Sequence, residues 1–389
     1  MLSYAGVSAY AAAEAVPVAH SSPPAGVSAV NMVNERLAEA LDERNISNDV
    51  VQVMLDKERR SLGRFFGADA FIQESEPFRN HMLWLVGNML MLLKSSNAWF
   101  EAARILDTAG KGLLRAGADG EINANPEEVP PEVMYTNAAA FCRMAEALNG
   151  QSVQNDDCCT PIIKLASLAN WASHASISVG GQPVHLEAIW QAERAILPDL
   201  DSAPNVVTWI EIFCARFDVA TMEVFSKRLP ELTDMAEQLA MHIVLRFCTS
   251  PALPPRSVAV GCFAVALAAL QVVPSIVLCP EVVDAHEWQA LILQLSPRHN
   301  ARTTLKAPQA SHLPAALAIG VLEFAMQQDA AAVRSQALTA VRVVTSPSPP
   351  AAVVAATPAP AEAAAAAASA SVGGAGTDPT GPLIRMESI

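Results

Sequence analysis

The sequence predicts an all-α fold of two stacked helical domains, and three observations predict it. From Asp49 onward apolar residues recur at three- and four-residue spacings, and alternation with period two is all but absent. Two alanine-rich stretches, one at Ala138, Ala139 and Ala140 and one at Ala259, Gly261, Ala264 and Ala266, each stand inside a run of segments punctuated by proline and glycine. Three- and four-residue spacing gathers apolar side chains on one face of a helix, whereas a half-buried strand needs alternation. Small residues let neighbours approach on all sides, so each alanine-rich helix is expected at the centre of its group.

The elements follow in chain order. Residues 1–45 are expected to form a flexible arm: the first thirty are alanine-rich with Glu14 as their only charge, and they lack the basic start of a secretory signal and the arginines of a transit peptide. Val50 to Leu62 is a short first helix within an N-terminal helix region, 46–76. Phe78 to Lys94 follows, with Met82, Leu85, Val86, Met89, Leu90 and Leu93 as one broad apolar face, and then Asn97 to Arg115. The stretch Ala116 to Pro131 is rich in Gly, Asn, Glu and Pro and reads as loop, and Pro131 opens a helix over Glu132 to Leu148. Thr160 stands as an N-cap with Pro161 at the first helical position of a helix to about Ser173, and Val184 to Leu197 ends at Pro198. The second group is expected at Val206 to Phe217, Leu232 to Phe247, Arg256 to Val273, Glu281 to Leu295 and Leu313 to about Val343. Beyond Val344 the chain turns to Ser, Pro and Ala with hardly a charge and no large apolar set, so residues 336–389 read as a helix end followed by a disordered tail.

Composition narrows the function. Of 389 residues, 52% are apolar and 16% charged, enough apolar surface for a substantial core. The 25 Lys and Arg against 39 Asp and Glu leave a net charge of −14, the wrong sign for following a phosphate backbone, so no direct contact with nucleic acid is expected. Seven cysteines without metal spacing point to a reducing compartment. Ser257 to Cys279 is uncharged and long enough to span a bilayer, but Gln271, Pro274 and its many alanines favour a buried central helix, so no membrane is expected.

Motifs that carry chemistry are missing. The chain has no phosphate-binding GxxxxGK[ST], no GxSxG, no HExxH and no paired CxxC. Asp284, His286 and Glu287 are the nearest approach to a metal cluster and read better as a charged helix start, so neither metal nor cofactor is expected. The reading is of a helical interaction protein that is not an enzyme.

Several runs of residues share an order. Val50 to Glu58 ends in Leu55-Asp56-Lys57-Glu58; Arg79 precedes Trp84-Leu85-Val86; Ile105-Leu106-Asp107 follows; and Leu253-Pro254-Pro255-Arg256-Ser257-Val258-Ala259-Val260-Gly261 comes later. Over roughly residues 46 to 335 this order resembles the cyclin family, and the D-type cyclins most. The proline-proline run is the most specific match, to the family's Pro-Pro-Ser-x-x-Ala-Ala-Gly. Thr108 stands where the family has arginine, Arg79 lies one residue closer to Trp84 than the family's docking motif allows, and no Leu-x-Cys-x-Glu occurs.

The resemblance implies two five-helix cyclin boxes at 77–202 and 203–335. It implies a regulatory subunit that binds and activates a cyclin-dependent Ser/Thr protein kinase, in cell-cycle control of the G1/S type, found in the nucleus and cytoplasm. Family members contact the kinase through a lysine and a glutamate of the first box. Gln191-Ala192-Glu193 with Ile196-Leu197 is similar to the glutamate's neighbourhood, so Glu193 is the candidate acid. The basic partner is Arg143 or, on another threading, His174; only Arg143 keeps five helices in order. Trp84, Met89 and Ile105 are expected in the core. Ser346, Ser348 and Thr357, each followed by proline, are candidate sites of regulatory phosphorylation. The alternatives are a transcription-associated cyclin-box protein and a helical membrane protein with a span near 257–279.

Overall fold

The computed structural model describes residues 29–63, 76–92, 98–114, 129–149, 160–196, 203–247, 253–278 and 313–345. Among these residues the fold is all helical, without a strand. The helices are α1 (Ala29–Glu43), α2 (Asn48–Gly63), α3 (Glu76–Leu92), α4 (Trp99–Leu114), α5 (Pro131–Asn149), α6 (Thr160–Ser178), α7 (Leu186–Ile196), α8 (Val206–Ala220), α9 (Leu229–Arg246), α10 (Pro255–Ala269), the short α11 (Ser275–Leu278), α12 (Ala315–Met326) and α13 (Ala330–Thr345). All belong to one compact unit that runs to Pro347. The segment expected as a helix at Glu281 to Leu295 and the tail beyond residue 345 lie outside the described residues.

Each alanine-rich helix is a hub. α5 packs against α3, α4, α6 and α7, with Ala138, Ala139, Ala140, Phe141, Cys142 and Ala145 fully buried. α10 packs against α8, α9, α11 and α13, and every residue from Val258 to Ala268 is buried. Gly261 shows why small residues sit there: a Cβ at this position would lie 2.6 Å from the Gln336 carbonyl oxygen and 3.0 Å from Ala340 Cβ, so α13 crosses α10 nearly backbone to backbone. α10 ends at Ala269 rather than continuing to Val273, because Gln271 takes a left-handed conformation (φ 55°) and Pro274 follows. Among the described residues no single helix is long and apolar enough to cross a membrane.

Three further expectations need correction. The arm expected at 1–45 contains α1, a helix that buries Leu37 and Leu41, one turn apart, against α8. It closes at Asn45, left-handed at φ 55°, where the Ile46 N–H donates to the Leu41 carbonyl. The helix expected from Leu313 to Val343 is two helices bent by 84°. Gln327 is left-handed (φ 49°), the Asp329 carboxylate accepts from the Ala332 N–H at 2.8 Å, and Glu323 accepts from the Ala330 N–H at 2.9 Å, so the second helix starts afresh with its own caps. Trp84, expected in the core, is 53% exposed: α3 turns Met82, Leu85, Val86, Met89 and Leu90 inward, which leaves Trp84 and Met91, seven residues apart, on its outer face. Met89 and Ile105 are fully buried.

Arginines join the parts. The Arg216 side chain, 1% exposed, donates to the carbonyls of Ile46, Phe324 and Ala325 and to the Asn48 side chain, fastening the joint between α1 and α2 to α8 and α12. Arg44 adds an ion pair to Asp218 at 2.8 Å and another to Glu223. Between the two helix groups, Asn205 donates to Glu101 at 3.0 Å while its own oxygen caps α8 by accepting from the Thr208 N–H. Glu101 is held in turn by Arg104 at 2.5 Å.

Candidate functional site

Arg143 and Glu193 come from α5 and α7, two helices that pack against each other. α7 is amphipathic: Ile189 and Ile196 point into the core, while Leu186 and Trp190 are each 40% exposed. Glu193 follows Trp190 by three positions and Leu186 by seven, so all three share one stripe. Arg143 lies on the rim of a helix whose other face is buried alanine. Its Nε stands 3.0 Å from Glu193 Oε1, with side-chain exposures of 31% for the arginine and 15% for the glutamate.

The pair attracts without being fully satisfied. Arg143 Nη1 and Glu193 Oε1 are shielded from solvent and neither has a hydrogen-bond partner among the described residues, so the 3.0 Å approach is an ion pair off hydrogen-bond alignment. Burial pushes the Glu193 carboxyl above its ordinary range, and the neighbouring Arg143 charge pulls it back. A donor and an acceptor lie side by side, each able to take one more bond. His174, the alternative basic residue, is exposed on α6.

Further exposed apolar side chains stand at the other end of the α5–α7 packing, where α6 meets the start of α5. At the end of α6, Ile177 is 50% and Val179 43% exposed. The following turn is fixed from below: Gly180 is left-handed (φ 88°), the Ser176 hydroxyl donates to the Gln182 carbonyl at 2.6 Å, and the Gln182 N–H donates to Glu132 at 3.1 Å. A Cβ on Gly181 would meet Ser176 Oγ at 2.5 Å, so only glycine fits under that turn. These exposed apolar side chains were not singled out from the sequence. The spacing Leu186-x-x-x-Trp190-x-x-Glu193 on a helix that already has an inward face was the available signal.

The remaining candidates are placed as follows. Arg79 donates to both oxygens of Asp107, at 2.6 and 3.0 Å, with both side chains buried, so two residues that carry the family resemblance meet as a bidentate pair. Thr108 returns its hydroxyl to the Arg104 carbonyl of its own helix. Glu58 accepts from Trp209. Cys142, Cys214 and Cys262 are free and buried, and desolvation raises all three thiols, the Cys214 thiol to about 12, which leaves them poor nucleophiles. Among the described residues no group of three His, Cys, Asp or Glu side chains could hold a metal ion. Asp284, His286, Glu287, Ser346, Ser348 and Thr357 lie outside the described residues. Neither a protein-family model nor a curated protein nor a solved structure matches the chain.

Proposed function

We propose that the chain is a cyclin-like regulatory subunit that binds and activates a cyclin-dependent Ser/Thr protein kinase in cell-cycle control, with cyclin boxes at 77–202 and 203–335. The observation that carries the reading is the Arg143–Glu193 pair: two residues chosen for a kinase-contacting role stand together at 3.0 Å, each with an unused hydrogen-bonding atom. The pair's fit to that role favours Arg143 over His174. In this reading the two side chains, still 31% and 15% exposed, turn outward on binding, so that Arg143 donates to a backbone carbonyl of the kinase and Glu193 accepts from a backbone N–H. Ile177, Val179, Leu186 and Trp190 supply the desolvated area that gives such a contact its strength.

The chain itself performs no phosphoryl transfer. A kinase transfers phosphate efficiently only when its strand lysine is paired with the glutamate of its C-helix, and a partner packed against that helix biases it toward the paired state. The rigid α5–α7 platform serves as that partner. The same role accounts for residence in the nucleus and cytoplasm, and for the proline-directed sites Ser346, Ser348 and Thr357 as substrates of the bound kinase.

Co-purification of kinases with the full chain, followed by an activity assay, tests the reading. Glu193→Ala is expected to weaken kinase binding by about 2 to 5 kcal/mol, because it leaves the kinase's donor unpaired in a closed interface. Arg143→Ala is expected to act in the same direction. Capture of no kinase, or capture without activation, sinks the proposal; loss of binding on His174→Ala with Arg143→Ala silent moves the basic contact to α6. Replacing Ser346, Ser348 and Thr357 by alanine is expected to lengthen the protein's lifetime after synthesis is blocked, with kinase binding intact, and an unchanged half-life removes the tail from regulation.

A further inference from the structure

We propose that the Glu58 carboxyl is a proton-operated latch that holds α2 onto the second helix group. The inference is independent of kinase binding and rests on how this carboxyl is enclosed. Glu58 is 5% exposed, in the middle of the face of α2 that also buries Val51 and Ser61. One of its oxygens, Oε2, takes both incoming hydrogen bonds: from Trp209 Nε1 of α8 at 2.5 Å and from the Arg256 backbone N–H at the start of α10 at 3.3 Å. One carboxyl thus ties α2 to two helices of the second group at once.

Among the described residues the enclosure supplies donors but no matched counter-ion. Arg256 lies close, yet its Nη2 donates to the Met326 and Gln327 carbonyls, at 2.7 and 3.0 Å, and its guanidinium stacks over the Trp209 ring at 5.7 Å. Arg104 of α4 faces Glu58 across a small cleft that Ser61, Thr108 and Pro255 also line, but Arg104 is bound to Glu101. Arg59, on α2 itself, points outward and pairs with Asp56. The oxygen that accepts neither bond, Oε1, is therefore free to carry a proton while Oε2 keeps both of its donors. Burial, partly offset by the Trp209 and Arg256 bonds and by the two nearby arginines, raises this carboxyl to about 7.

The direction follows from linkage. When α2 is docked, Glu58 holds its proton up to about pH 7, and when α2 is released the carboxyl ionises in the ordinary glutamate range near 4.5. Docking is therefore tightest at low pH, weakens as pH rises between those two values, and levels off above pH 7. Nothing in α5, which lies in the other helix group, shares this carboxyl, so α5 amides serve as the internal reference.

Hydrogen exchange of the full chain from pH 5.5 to 7.5, corrected for intrinsic rates, tests the latch. In the wild type, protection of α2 amides is expected to fall roughly tenfold relative to α5 over that range. Glu58→Gln, which keeps an acceptor for Trp209 and Arg256 but cannot ionise, is expected to show pH-independent protection at or above the wild-type value at pH 5.5. An equal pH dependence in the variant, or none in the wild type, overturns the proposal. Titration of the 13C-labelled Glu58 carboxyl in the wild type reads the same property without a substitution: a midpoint near 7 supports the latch, and a midpoint in the ordinary glutamate range refutes it.

Discussion

The two helix groups treat buried and half-buried arginine differently. Around α5, arginines meet carboxylates: Arg79 with Asp107, Arg104 with Glu101 and Arg143 with Glu193. Around α10, arginines chiefly donate to backbone carbonyls at or near helix ends and turns: Arg216 to Phe324 and Ala325, Arg228 to Leu270, Arg246 to Val343, Arg256 to Met326 and Gln327, and Arg334 to Val277; Arg228, 3.7 Å from Glu231, and Arg44, paired with Asp218 of α8, meet carboxylates as well. The last carbonyls of a helix lack intrahelical donors and carry partial negative charge, so a guanidinium answers both needs in one contact. The second group thereby fastens its own architecture. In the first group the least enclosed of the three pairs is also the one with unused atoms, and Glu193 shares its stripe of α7 with the exposed Leu186 and Trp190. The contrast teaches that unused atoms differ in setting: Arg256 Nε is also unpaired but belongs to a residue fastened inside the second group, whereas those of Arg143 and Glu193 belong to a pair at the surface.

The hardest test of the contrast is to remove one arginine from each group. Arg216→Ala leaves three backbone carbonyls short of a donor inside the fold and is expected to cost about 3 kcal/mol or more, read from the urea midpoint. Arg143→Ala, at a pair still reached by solvent, is expected to cost less than about 1 kcal/mol. Equal losses would mean that the two groups do not differ as described.

A second comparison uses glycine. Gly261→Ala drives a Cβ to 2.6 Å from the Gln336 carbonyl of α13, and because the obstacle is backbone the expected cost is about 1 to 3 kcal/mol. Gly180→Ala meets nothing within 4 Å but must hold φ near 88°, so strain alone is expected to cost about 1 kcal/mol. Thermal denaturation of both variants orders them, and Gly261→Ala as the milder of the two would refute the close crossing of α10 and α13.

The smallest expected effect concerns pH. Glu237 of α9 is raised to about 7 by burial first, and then by the charges of Glu211 and Asp234. A carboxyl that ionises later in the folded state than in the unfolded one opposes folding as pH rises from about 4.5 toward 7. Glu237→Gln is expected to raise stability at pH 8 by less than about 1 kcal/mol, since solvent reaches the site, and to change nothing at pH 4. A gain of the same size at both pH values would locate the effect in packing.

Much of this fold was legible because its signals are local. Met82, Leu85, Val86, Met89 and Leu90, expected on the inner face of α3, are buried, Leu93 lies outside the described residues, and the alanine-rich segments are hubs, since spacing and residue size act within a few residues. What escaped depends on distant partners. α1 carries apolar residues at helical spacing, Val30, Val33, Leu37 and Leu41, but α8, which covers Leu37 and Leu41, lies far along the chain, and α1 docks because Arg44 and Ile46 find Asp218 and Arg216. The break at Gln327 has a local sign in Asp329, but the long apolar run around it masks that sign. Trp84, expected in the core, is turned outward by its place on the helix, since it is absent from the apolar set Met82, Leu85, Val86, Met89 and Leu90 that faces inward. At the candidate site, Arg143 and Glu193 were named from their neighbours in sequence, while their distance and their unused atoms emerged only with the packing of α5 on α7.

The fastening at Arg216 has a consequence for how the chain is made. Its partners are among the first and the last parts of the folded unit, Ile46 and Asn48 on one side and Phe324 and Ala325 on the other; Asn48 and Gln327, which also bond, lie 279 positions apart. At ordinary rates of translation the ribosome needs on the order of tens of seconds to pass from one to the other. For the first half of that interval α1 and α2 have emerged while α8, the seat of Leu37 and Leu41, is still to be made, and for the rest of it the α12 side of the Arg216 joint is missing. A nascent chain of this design leans on whatever shields its opening helices, and a truncation just before Phe324 removes two of the carbonyls that Arg216 holds along with the chain's end.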